Sequence, residues 1–402
     1  MGLKHRTFYH STVDAHGQHS SLSAMRLFSF FALGMALISP LFQSQAAFAQ
    51  TEPKDYREWS VTCSNVKTCV AVSISGLNEM GVTARPRGIA SDTDMGWLWI
   101  ELAAGPTARP KILFSGDINA STAAPASASL RIVGRDGRVL ARGVFTLIAH
   151  DSGASQLRDT DVDRFMAVAK AGQAVVYVHA NGQRAQSFAN LAGFVAAMRA
   201  IEAVQGRTGT QAAWIDAGKL TRDRVPAAPV TPRVQAVAFT KIGARTRIPK
   251  LVADRRTNDC NDSERLDPGG TGIEGFNLGN GRTLWAVPCG AGAYNMWSAF
   301  YLQTSPTRLE PYGFARPGQS VDEEDANSLV NVSLNPEAGQ ISAFAKGRGI
   351  GDCGSAQTYS WDGTNFILTD LVEMTACSGL LPEFWPVRIK SEVIPPAPKP
   401  KR

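Results

Sequence analysis

The spacing of apolar and polar positions divides the chain into three stretches of different character. Leu27–Ile38 (LFSFFALGMALI) is one apolar run of 12 residues that follows Arg26 and is broken by Pro40. From residue 52 the pattern turns to strand-like alternation, with aromatic and β-branched residues at Tyr56–Cys63, Cys69–Gly76 and Trp97–Leu102. Ser129–Val133 and Val139–Ile148 flank Asp136-Gly137, the turn pair of a tight hairpin. Thr160–Ala171 then takes a helical period, with Thr160 as cap and Asp163 in the first turn. Ala174–His179 returns to strand and turns at Asn181-Gly182. In Leu191–Val204, Leu191, Phe194, Val195, Met198 and Ile201 recur at three- and four-residue spacing, which predicts a helix stopped at Gly206. Beyond residue 234 the pattern is strands and turns, with hairpin signals at Asn280-Gly281 and Asp362-Gly363.

Two proline-rich stretches punctuate this pattern. Asp223–Arg233 (DRVPAAPVTPR) reads as a semi-rigid linker, and Ile394–Arg402 (IPPAPKPKR) as a disordered basic tail. The expectation is an α+β protein. A β-rich domain with two helices (52–222) leads through the linker (223–233) to an all-β, sandwich- or barrel-like domain (234–393).

The N-terminal run gives this organisation a compartment. A basic residue, a short apolar segment and Ala47-Phe48-Ala49 stand in the order of an export signal cut after Ala49. Twelve residues are too few for a spanning helix, which needs about 20, so no transmembrane anchor is expected after cleavage. Residues 1–24 are polar and carry His5, His10, His16 and His19. They could form a metal-binding arm. The simpler reading places the start at Met25, or removes them with the leader, because an export signal begins at its basic region.

Charge excludes one class of partner. The 402-residue chain carries +6, and residues 1–49 hold three of its 41 basic and one of its 35 acidic residues. The remainder is therefore +4, and Lys399, Lys401 and Arg402 supply three of those charges from the tail. A nucleic-acid binder needs a clustered basic face, and the sequence shows no such run.

Six cysteines remain: Cys63, Cys69, Cys260, Cys289, Cys353 and Cys377. An even number in an exported chain predicts disulfides. Cys63–Cys69 closes a short loop and is the most secure pair. The other four can join in three ways, of which neighbours in sequence (Cys260–Cys289, Cys353–Cys377) are the simplest. Zinc needs closely spaced Cys/His pairs, and no such spacing occurs; neither a metal nor a cofactor is expected.

Familiar chemical motifs fail on their context. Gly270-x-Gly272-x-x-Gly275 spells a dinucleotide fingerprint but precedes a predicted hairpin rather than a helix. Asp159, Asp161 and Asp163 alternate like a calcium loop, yet Arg164 and Lys170 stand where such a loop needs Gly and Glu. Asp322–Asp325 is a run of four carboxylates and reads as a solvated loop. No G-x-S-x-G elbow occurs, and His150 and His179 are the only histidines after residue 49.

The best binding candidates lie in two glycine-rich turns. Arg348 and Asp352 sit in KGRGIGDCG, and Tyr294 and Asn295 end CGAGAYN. Glycine lets a loop turn tightly and lets a ligand approach the backbone. The competing structural reading is two tight turns beside disulfides, with Arg348 and Asp352 paired to each other.

The strings LWAVPCGAGAYN (284–295) and KGRGIGDCGSAQTYSWDGTNF (346–366), with the later Cys377, closely resemble the bacterial family named domain of unknown function 1176. Trp59, Cys63 and LAGFVAAMRAIEAVQGRTG (191–209) extend the resemblance into the first half, which is also distantly similar to invasion-associated locus B proteins. The resemblance implies a periplasmic protein of a Gram-negative envelope and carries no catalytic residue. The functional expectation is a non-enzymatic protein that binds an envelope protein or glycan through its second domain. The alternative is an envelope hydrolase with an unrecognised serine or carboxylate site.

Overall fold

The computed structural model describes residues 52–397, except 74–85, 88, 91–92, 116–128, 153, 179–184, 244–245, 261–271 and 324. The expected leader, Asn181-Gly182, His179, Gly270 and the last five tail residues lie outside the described residues.

The first half is one eleven-stranded sheet. In order, its strands are Lys54–Tyr56, Trp59–Cys63, Cys69–Ser73, Trp97–Leu102, Lys111–Ser115, Ser155–Leu157, Val139–Ala149, Ser129–Val133, Ala174–Val178, Ala185–Asn190 and Asp94–Met95. The sheet curls: its last strand, Asp94–Met95, is only one residue from Trp97, which starts the fourth. Two helices pack on it, α1 (Val162–Ala169) and α2 (Phe194–Val204). Phe165 and Met166 from α1, and Phe194, Met198 and Ile201 from α2, join Trp59, Leu98, Ile100, Phe114 and Phe145 in one core. The predicted stripe of Leu191–Val204 is the face that α2 buries. Gly206 ends that helix at φ +68°, as a left-handed stop requires. The expected Thr160 cap is absent. A 3₁₀ turn, Asp159–Asp161, leads into α1 instead, and no side chain caps it.

The second half holds two larger open sheets. One runs Thr240–Lys241, Glu274–Gly279, Arg282–Ala291, Met296–Ser305 and Arg308–Pro311, with Ser328–Val330 paired to the fourth. The other runs Ser333–Asn335, Gln340–Lys346, Gly354–Trp361, Phe366–Met374 and Val387–Lys390. Phe276, Leu284 and Phe300 from the first meet Ile341, Tyr359, Trp361 and Phe366 from the second in a shared aromatic core. Edge-to-face contacts such as Phe239–Phe276 and Phe300–Phe314 order that core.

Asn280 and Gly281 both take positive φ, as a two-residue hairpin turn demands. Asp362-Gly363 makes a longer loop, in which the Asp362 carboxylate accepts the N–H groups of Thr364 and Asn365. Gly275 and Gly290 have a packing reason. Each lies opposite a tryptophan, Trp285 and Trp297, and a Cβ there would meet the ring at 2.7 Å and 2.1 Å.

The all-β expectation for this half is corrected by α3 (Lys250–Asp259). The sequence KLVADRRTND gives no apolar stripe, because only Val252 is buried. The helix is held through Tyr301, whose hydroxyl donates to Asp259 at 2.8 Å, and by the Cys260–Cys289 disulfide at its end. Tertiary anchoring, rather than amphipathic period, decides this element. The barrel form is also set aside, since both sheets remain open.

The halves meet face to face. Val70, Val72, Trp97, Trp99 and Leu113 of the first sheet pack with Met374, Leu380, Phe384 and Trp385 of the second half. Trp99 donates its indole N–H to the Phe384 carbonyl at 3.1 Å. Beside that cluster, buried Arg388 pairs with Glu373 and with Glu52, at the start of the described chain. The segment 223–233 runs into Arg233–Gln235, which pairs in parallel with Glu392–Ile394. The described residues form a single compact unit.

Candidate functional site

Four sequence candidates meet at one rim of the second half. Asn295 immediately precedes Met296–Ser305, and Lys346 ends Gln340–Lys346 in the facing sheet. The Asn295 side chain bridges them, donating to the Lys346 carbonyl at 2.9 Å and accepting the Lys346 N–H at 3.1 Å. Tyr294 donates its hydroxyl to the Gly347 carbonyl at 3.2 Å. A Cβ on Gly349 would stand 3.6 Å from the Tyr294 ring, so the ring lies along the second glycine loop.

Sequence reasoning missed Asn331, which locks this bridge. Its amide donates to Asn295 Oδ1 at 3.0 Å and to the Phe344 carbonyl at 2.8 Å, and its Oδ1 accepts the Met296 N–H at 2.9 Å. It stands at φ +45°, a conformation asparagine tolerates better than most residues. The string NVS gave no local signal for that role.

Arg348 and Asp352 pair with each other. Arg348 Nε donates to Asp352 Oδ1 at 2.6 Å, and a second guanidinium nitrogen contacts Oδ2. The same guanidinium donates to the Cys377 carbonyl at 3.3 Å, and Asp352 Oδ2 accepts the Gly379 N–H at 2.7 Å. The pair therefore ties loop 346–353 to loop 377–379, in parallel with the Cys353–Cys377 disulfide. Burial pushes the Asp352 carboxyl up. The hydrogen bonds from Arg348 and Gly379, with the Arg348 charge, outweigh it and leave the carboxyl below its usual 3.8. Arg348 is correspondingly held above its ordinary value by that hydrogen bond.

What the rim offers outward is apolar. Tyr294, Met296 and Ile350 are 40%, 58% and 71% exposed. The polar groups beneath them are used inside the protein. Asp352, Cys353 and Cys377 bring an oxygen and two sulfurs within 4.8 Å of one another. Both sulfurs are spent in the disulfide and the carboxylate on Arg348 and Gly379, so this is not a metal centre. The cysteines join as Cys63–Cys69, Cys260–Cys289 and Cys353–Cys377.

Elsewhere the candidate motifs resolve into structural roles. Asp163 accepts the Trp214 indole N–H and pairs with Arg109, and Asp161 pairs with Arg164. In the would-be nucleotide motif, Gly275 lies in a strand, Glu274–Gly279, where a helix would be needed. His150 Nδ1 lies 2.6 Å from Ser152 Oγ and also accepts the Ser152 N–H. That is a local turn at an exposed site, and burial and Lys111 lower the imidazole pKa. Among the described residues no carboxylate hydrogen-bonds the ring to orient it as a triad would need.

Two buried ionic groups were also missed. Glu202 of α2 is fully buried and accepts the N–H groups of Trp214 and Ile215 at 2.6 and 2.8 Å and of Asp216 at 3.1 Å. Arg207, equally buried, donates to Gln205 Oε1 at 2.7 Å and to the Gly105 carbonyl at 2.6 Å. Gln205 in turn donates to the Lys67 and Leu102 carbonyls. These groups brace the loop after α2 and the loop closed by Cys63–Cys69.

The fold and rim define a β-rich, disulfide-stapled protein that presents a rigid double loop. Its chain belongs to the family described as "Protein of unknown function (DUF1176)", whose profile matches residues 53–391. It is similar to the uncharacterized protein YpfG of Escherichia coli (strain K12), at 25% identity over 357 residues, 86% of this chain and 95% of that one. These matches do not show the weaker likeness to invasion-associated locus B proteins. No solved structure matches. Among the described residues no helix is long and apolar enough to cross a membrane.

Proposed function

We propose that this is an exported, non-enzymatic protein of the periplasm that holds another envelope component, a protein or a glycan, at the double-loop rim. One observation carries the reading. The loops 290–295 and 346–353 are joined by Asn295 and Tyr294 and clamped by Arg348–Asp352, while Tyr294, Met296 and Ile350 stay exposed. Apolar tips on a pre-ordered loop bind at low entropic cost. Three disulfides accord with an oxidising compartment.

The test is capture from envelope extract by the oxidised protein, compared with Y294A and I350S. Both variants remove exposed surface; I350S should leave the melting temperature unchanged, and Y294A, which also gives up the hydrogen bond to the Gly347 carbonyl, should lower it only slightly. Loss of one discrete partner supports the rim. Retention of that partner by both variants removes it.

A further inference from the structure

A second surface lies on the outer face of the first sheet. Val139–Ala149 alternates exposed and buried residues, and Phe145 and Leu147 point into the core. On the opposite face Val139, Val144 and Ile148 are 44%, 49% and 40% exposed. This face continues an apolar layer. Val133 lies opposite Val139, and Arg131 lies between Val144 and Val176 in register. Val133 and Val176 are buried under Ile89 and Met95, whereas the part contributed by 139–149 remains open.

The hairpin is also strongly basic. Exposed Arg138 and Arg142, with half-buried Arg131, have no carboxylate partner among the described residues. Arg109, Arg164, Arg199, Arg233, Arg255, Arg308, Arg348 and Arg388 each hold one; Arg57, Arg87, Arg158, Arg222, Arg224, Arg247, Arg282 and Arg316 hold none among the described residues but are scattered, whereas exposed Arg135 adds a fourth such group to this one hairpin. Asp136 spends an oxygen on the Arg138 N–H. In a body whose charges nearly balance, four guanidinium groups without a carboxylate partner among the described residues, close to β-branched side chains, form a local amphipathic surface.

We propose that this face docks on an anionic phospholipid surface. Val139–Ala149 pairs with Ser129–Val133 along 139–146 and with Ser155–Leu157 only at 147–149, and the Arg164 guanidinium takes up the Arg142 and Val144 carbonyls, so a polypeptide strand added there would have to compete with Arg164. Recognition of a lipid surface rests on side chains. Guanidinium forks suit phosphate oxygens, and adjacent aliphatic side chains suit the acyl boundary.

The test uses the oxidised protein beginning at Gln50, which keeps every described residue and lacks the apolar run 27–38. It is sedimented with vesicles of equal parts phosphatidylglycerol and phosphatidylcholine, and with phosphatidylcholine alone. Binding to the anionic vesicles only is expected, falling about tenfold or more in about 0.5 M salt. R138E/R142E should weaken it about tenfold or more with an unchanged melting temperature, and V144S/I148S several-fold with a melting temperature only modestly lowered. A chain ending at Ala397, without the basic tail, should bind as the longer one does. The proposal is overturned by undiminished binding of R138E/R142E, by loss of binding on removing the tail alone, or by tighter binding to soluble polyglutamate than to vesicles.

Discussion

Arginine does opposite things at the two surfaces described above. At the rim, Arg348 is held by Asp352 and the Cys377 carbonyl, and its charge is consumed in fixing a loop. On the outer face of the first sheet, Arg138 and Arg142 meet no acid among the described residues, and both are exposed. The rim is therefore polar inside and apolar outside, whereas the hairpin is apolar and cationic on one exposed face. The available acid, not the arginine itself, decides whether the charge is spent inside the protein or left outward.

The comparison breaks most severely when the clamp is removed. C353A/C377A should lower the unfolding free energy by about 2–4 kcal/mol, read by urea denaturation, because the loop it closes regains freedom in the unfolded chain. D352A should cost about 2–3 kcal/mol, since it strips a charge-assisted hydrogen bond and leaves the Gly379 N–H without its acceptor. N295A removes two hydrogen bonds between the sheets and should cost about 1–2 kcal/mol. By contrast R138E/R142E should change stability by no more than about 0.5 kcal/mol, because these side chains support nothing.

Acid sharpens the same contrast within the carboxylates. The Asp352 pKa is depressed, so its contribution is present above its ordinary 3.8 and is lost as the pH falls through the lower folded value. Glu101 behaves in the opposite sense. Burial raises it above 4.5 despite Lys111 and Lys390, so its contribution is present at low pH and is lost as the pH rises through the raised value. D352N should therefore flatten the acid limb of the stability profile. E101Q should raise the melting temperature slightly at pH 7. A thermal melt series from pH 3 to 7 checks both signs.

Most of the strand framework was legible because alternation and turn residues report on local geometry. Asn280-Gly281 is an example in which two residues suffice to place a hairpin. The α2 stripe was legible for the same reason. Helix α3 was not, because a mostly polar segment with one buried valine takes its stability from Tyr301 and a disulfide some distance along the chain. The rim was half legible. Glycine spacing marked the two loops, but their meeting depends on Asn331, whose neighbours are ordinary strand residues. Glu202 and Arg207 were hidden inside an apolar helical stretch and its exit, where a charge normally reads as solvent-facing.

The clamped rim, with its exposed apolar tips, is the proposed seat of a partner. A photo-crosslinking residue at position 350, in living cells that export the protein, tests it most directly. A matched probe at position 308, on the edge strand Arg308–Pro311 of the other sheet, serves as control. A discrete adduct at 350 that is absent at 308 and lost in Y294A is the expected result. No adduct at 350, or the same adducts at both positions, would contradict it.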